Sequence, residues 1–76
     1  MRYKVQPFIW QRIKKNKTIF QTKSTTIIVT SENLTNFLLD VEKERRTDID
    51  ESYLTKYFSE EEKEKVMNFL LTNRLL

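Results

Sequence analysis

Carboxylates are the side chains of this chain left for proton transfer. Its 76 residues contain no histidine and no cysteine. The imidazole base, the thiol nucleophile and the usual zinc ligands are therefore absent, and so is any disulfide scaffold. Carboxylates alone can still act as acid and base, and there are eleven Asp and Glu residues. Nothing in their spacing pairs two of them in a cleft. No catalytic residue, metal site or cofactor is expected. What stands out is backbone chemistry. "STTIIVTSE", Ser24 to Glu32, is a β-branched run with neither proline nor charge from Thr25 to Thr30. The N–H and C=O groups along one side of such a strand can pair with a second chain. Natural proteins usually blunt an edge of that kind.

The charge is unevenly spread. Residues 1–31 hold Arg2, Lys4, Arg12, Lys14, Lys15, Lys17 and Lys23 and no acid, giving +7. Residues 32–76 sum to −4, and the whole chain to +3. A basic front suits an acidic partner, either nucleic acid or an acidic peptide. A hairpin kept soluble by lysine accounts for it equally well. "MRYKVQPF" has charges but no apolar stretch, so it is not a signal peptide. The runs "TIIV" and "FLL" are far too short to span a bilayer, so no membrane partner is expected. The length implies one domain, residues 1–76, and the cytoplasm is the default location.

The elements that must position the β-branched run change character near Ser31. Before it, β-branched and aromatic residues alternate with polar ones; after it, apolar residues fall at helical spacing. The first half predicts three strands: Val5 to Ile13, Thr18 to Thr22, and Thr25 to Thr30. Pro7 has no N–H for a ladder, so the first strand lies at an edge or starts after it. The chain has no glycine, which makes Asn16 the candidate for a left-handed position in the "KKNK" turn. The second half predicts three helices. Ser31 caps the first, with Leu34, Phe37, Leu38 and Val41 on one face. "EKERRTDID" is too polar for the core. Asp50 and Glu51 open a short second helix bearing Tyr53, Leu54, Tyr57 and Phe58. Ser59 and Glu62 form a capping box for the third, which should run to about Asn73 or Arg74. On that third helix Val66, Met67, Phe69, Leu70 and Leu71 cover an apolar arc of roughly 200°, wider than one core needs.

These elements describe an α+β, winged helix-turn-helix-like domain: a three-stranded antiparallel sheet followed by three helices. Their order carries a resemblance. Pro7 in the first strand, the Lys15–Asn16 hairpin and the strand Ile27 to Val29 come first. The first helix with Leu34, Phe37 and Leu38 follows, then Thr47 to Leu54. A last helix with Val66, Phe69 and Leu70 ends in Leu75 and Leu76. This pattern resembles the PqqD-like precursor-peptide recognition elements of ribosomal peptide biosynthesis. It covers essentially the whole chain. Many members have glycine in the hairpin and before the second helix, where this chain has Asn16 and "ERRT".

The resemblance implies a non-catalytic binder of a leader peptide, free-standing or fused to a modifying enzyme. Such enzymes include cyclodehydratases and ThiF-like proteins of azole-containing bacteriocin and thiopeptide biosynthesis. The leader would add as a strand beside Thr26, Ile27, Ile28, Val29 and Thr30. It would lie against Lys63, Met67, Leu70, Leu71 and Arg74 of the third helix. Main-chain bonds would supply affinity, and pockets for alternate side chains would set register. Which face of the strand reads the peptide is open at this stage. The alternatives are a DNA-binding winged helix and a dimerisation module. The basic hairpin fits DNA, but Glu60, Glu61 and Glu62 at the start of the third helix would repel it.

Overall fold

The computed structural model describes residues 2–76. It is an α+β fold with a three-stranded antiparallel meander, a two-stranded antiparallel sheet and three helices. The elements in chain order are β1 (Arg2–Lys4), β2 (Ile9–Lys14), β3 (Lys17–Gln21), β4 (Thr26–Val29), α1 (Glu32–Lys43), β5 (Asp48–Asp50), α2 (Glu51–Thr55) and α3 (Glu60–Thr72).

The meander runs β2-β3-β4, with Trp10↔Phe20↔Ile27 and Gln11↔Ile19↔Ile28 as two adjacent rows. Alternation does what the pleat requires. Thr18, Phe20, Ile27 and Val29 point into the core, and Thr26 and Ile28 point to the outer face. The phase of the third meander strand, open in the sequence, is thereby settled.

The single first strand expected from Val5 to Ile13 is two strands. β1 leaves the meander and pairs antiparallel with β5, in the register Tyr3↔Ile49. Between β1 and β2 the chain crosses the ends of two other segments. Val5 N–H donates to Thr47 O and Gln6 N–H to Leu75 O, both at 2.9 Å. Pro7, with no N–H to place, sits in this crossing rather than in a ladder. The expectation that "EKERRTDID" avoids the core is also corrected. Ile49 is almost fully buried, because the pairing with β1 gives its polar neighbours an outward face.

Asn16 does not take a left-handed conformation; among the described residues only Arg45 (φ 54°) and Arg74 (φ 57°) have positive φ. The two-residue turn Lys15–Asn16 instead works with a register shift between Arg12 and Lys14, which leaves Ile13 as an extra residue. A bulge adds the twist that such a turn would otherwise fail to provide.

The helix starts follow the sequence. Ser31 Oγ accepts from Leu34 N–H (3.3 Å), and Asp50 Oδ1 accepts from Tyr53 N–H (3.0 Å). Ser59 and Glu62 bond each other reciprocally, Glu62 N–H to Ser59 Oγ and Ser59 N–H to Glu62 Oε1. Donation by those backbone N–H groups holds the Asp50 and Glu62 carboxyls below their ordinary range.

The helix ends are less orthodox. At α1, Arg46 N–H bonds Val41 O (3.0 Å) and Arg45 N–H bonds Glu42 O (3.0 Å). At α3, Leu75 N–H bonds Leu70 O (2.9 Å) and Arg74 N–H bonds Leu71 O (3.2 Å). Both are Schellman motifs, which call for a left-handed residue that is usually glycine. A chain without glycine places arginine there twice. Left-handed geometry strains a residue with a Cβ by ~1–2 kcal/mol, part of which glycine would return through its freer unfolded chain. Arg45→Gly should therefore raise stability by about 1 kcal/mol, or ~4–8 °C in Tm for a domain of this size, in a thermal melt.

The core joins both layers. Phe20 from the meander, Phe37 from α1, Leu54 from α2, Leu70 from α3 and Leu75 beyond it are all fully or almost fully buried. Phe37 packs edge-on to Tyr57 and Phe58, with centroids 5.4 Å away in each case. Tyr57 donates to Asp40 Oδ2 at 2.6 Å and Tyr53 to Glu44 Oε2 at 3.0 Å. Burial pushes both phenols above their ordinary pKa, and in each case the bond to a carboxylate adds to the effect.

Candidate functional site

β4 is an end strand. It pairs with β3 on one side and is last in its sheet on the other. The turn tells which backbone groups face the open side. Thr22 N–H donates to Thr25 O at 2.9 Å, so these two residues form a hydrogen-bonded pair. Bonded and non-bonded pairs alternate along an antiparallel ladder. Phe20↔Ile27 and Thr18↔Val29 are then bonded pairs, and Ile27 and Val29 direct their N–H and C=O groups to β3. Gln21↔Thr26 and Ile19↔Ile28 are the other kind. The main-chain groups of Thr26 and Ile28 therefore point to the open side.

The five residues expected at this edge thus divide. Thr26 and Ile28 have open backbone groups and outward side chains, and Ile28 is 57% exposed. Ile27 and Val29 have bonded backbone groups and buried side chains. Thr30 is exposed, just after the strand and before the cap of α1.

The residues expected from α3 are dispersed. Leu70 is 0% exposed and belongs to the core. Lys63 is 7% exposed; its ammonium lies 2.8 Å from Glu60 Oε1 and 4.0 Å from Glu51 Oε1. Met67 is half-buried and shares a recess of about 230 Å³ with Lys63, Tyr3 and Leu54. Leu71 is 48% exposed. Arg74 lies across the fold at the β3–β4 turn. There it lines a recess of about 340 Å³ with Gln6, Pro7, Thr22, Lys23, Ser24 and Leu76. Arg74 therefore comes to the start of β4, whereas Lys63 and Met67 meet β1 and α2. The apolar arc of α3 is mostly taken up by the core: Val66, Met67 and Phe69 are partly buried against it. Its remaining surplus is Leu71.

The larger apolar surplus is on the outer face of the meander. Ile9 is 69% exposed there, and Ile19 and Ile28 share a row with Gln11. The sequence by itself has no means of showing that the helices cover only one face of the meander. Adding a strand beside β4 would extend this face next to Ile28.

The sequence model of the family described as microcin B17-processing protein McbB matches residues 3–76. No curated protein and no solved structure matches the chain at a significant level. A match over nearly the whole length is enough to place it: the chain belongs to the McbB family of microcin B17-processing proteins.

Proposed function

We propose that this domain holds the leader segment of a ribosomal precursor peptide as an added strand on β4. A separate modifying enzyme, such as a cyclodehydratase acting in trans or fused to the chain, then works on the segment that follows. The observation that carries this reading is the open side of β4. Thr26 and Ile28 turn main-chain groups to that side with no partner among the described residues, in a family of microcin B17-processing proteins. Strand addition uses such groups for affinity and alternate side chains for register. The outward-facing side chains of the leader would flank Ile28. The inward-facing ones would lie beside the buried edge formed by Ile27 and Val29. Arg74 and Lys23 at the start of β4 would orient an acidic leader residue, and exposed pairs of this kind contribute only ~0.2–1 kcal/mol each. The reading assigns no catalytic role to the chain. Its contribution is a raised effective concentration of the substrate at the enzyme.

The test is direct. A fluorescently labelled leader from the precursor encoded beside this protein should bind at micromolar affinity or better, and unlabelled leader should displace it. No binding of that leader in an anisotropy titration overturns the proposal.

A further inference from the structure

We propose that the cavity between the β2–β3 hairpin tip and the first turn of α1 is a separate binding site for a small molecule bearing an oxyanion, phosphate or carboxylate. The inference is independent of leader binding and rests on groups left without partners. The cavity holds about 490 Å³ and is lined by Arg12, Lys15, Thr18 and Thr30 on the sheet side and by Glu32 and Asn36 from α1, among others. That volume suits a small-molecule site and is much larger than a bare ion needs.

Thr18 is the first observation. It is 2% exposed, and its hydroxyl has no hydrogen-bond partner among the described residues. Among the described residues no fully buried side-chain oxygen or nitrogen lacks a partner. The Thr18 hydroxyl must therefore be the point at which this residue reaches the cavity. Valine would serve the strand and the core at this position, directly opposite Val29. Opening onto the cavity, this hydroxyl can bond water or a ligand oxygen that displaces the water.

The second observation is charge without counter-charge. Arg12 lies beside Thr18 in the register, and its guanidinium makes one long bond, 3.5 Å, to Lys15 O. Among the described residues, neither Arg12 nor Lys15 has a carboxylate within ion-pair distance. The third is the start of α1, a helix of 12 residues. Ser31 Oγ takes the Leu34 N–H, and the first turns of α1 border the cavity through Glu32, Thr35 and Asn36, near the positive end of the helix dipole. Arg12, Lys15, the Thr18 hydroxyl and the first turns of α1 thus border one cavity. Glu32, the one acid among the lining residues, opposes an oxyanion there. That opposition gives the site a distinctive signature.

Inorganic phosphate and free glutamate, titrated separately into ¹⁵N-labelled protein, should produce saturable shifts at the Thr18, Glu32 and Asn33 amides. The tighter of the two identifies the oxyanion. Arg12→Gln should weaken binding about tenfold, Thr18→Val should weaken it severalfold, and Glu32→Gln should tighten it by roughly three- to tenfold. A gain of affinity in Glu32→Gln cannot arise from a damaged fold. Linear, non-saturating shifts, or saturable binding that all three substitutions leave unchanged, overturn the proposal.

Discussion

If the leader adds to β4 as proposed, Ile28→Pro should remove leader binding while the domain stays folded. The Ile28 N–H points to the open side of β4, so proline deletes a donor that β4 would offer to an added strand and none from the β3 ladder. Edge strands accept proline where the missing N–H would face solvent. Losing one main-chain bond is worth about 0.5–1.5 kcal/mol, close to tenfold in affinity at its upper end. The ring adds a steric block where the leader must approach, which should bring binding below detection at micromolar concentrations. Ile27→Pro is the matched control. Ile27 bonds β3 and its side chain is buried, so that change should unfold the domain. Anisotropy reports binding and far-UV circular dichroism reports folding. A folded Ile28→Pro protein that binds leader with unchanged affinity would mean that strand addition does not occur at β4, even if leader binding itself stands.

Leu70→Ala and Leu71→Ala should part company, although the residues are adjacent. Leu70 is fully buried beneath α3, and it shares the core with Phe20, Phe37 and Leu75. Truncating a buried leucine costs about 2–5 kcal/mol. A domain of this length has only ~4–11 kcal/mol in total, so Leu70→Ala should lower Tm by well over 10 °C or unfold the protein outright. Leu71 is half exposed, and its truncation should change stability by less than about 0.5 kcal/mol. If α3 contributes to the leader site, Leu71→Ala weakens leader binding at unchanged Tm. Equal Tm losses from the two changes would show that α3 is rotated from the orientation described here.

The same pair shows how far the sequence carried the site. Helical periodicity placed Leu70 and Leu71 on one broad apolar arc, and it has no way to divide an arc between core and surface. That division depends on what packs alongside. Here α2 and the Leu75–Leu76 tail pack against α3 and leave Leu71 half exposed. The edge strand was easier. Thr25 to Thr30 announces a strand through its β-branched residues, and the run is short enough that its boundaries moved by only one residue at each end. Its phase was not legible. A strand whose two faces are both β-branched looks the same after a one-residue shift until helices cover one side.

Helix starts were written locally. Ser31, Asp50 and Ser59 each bond an N–H three residues ahead, so the signal and its partner lie in one short window of sequence. The meander was legible for a similar reason: its strands are joined by tight turns, and their alternation is visible within a few residues. The β1–β5 sheet had no such signature. Each strand is three residues long, too short for a period to show, and the Arg2–Asp48 ion pair that accompanies it joins residues 46 positions apart. Tertiary structure also decided the left-handed residues. Asn16 has the better intrinsic tolerance for positive φ, but the bulge at Ile13 relieved the turn of that need. Arg45 and Arg74 accept the strain because the segments after α1 and α3 must turn sharply to meet the Val5–Gln6 crossing. Local chemistry thus set where most elements begin. Contacts between distant segments set which faces they show, and with them which backbone groups remain free to bind.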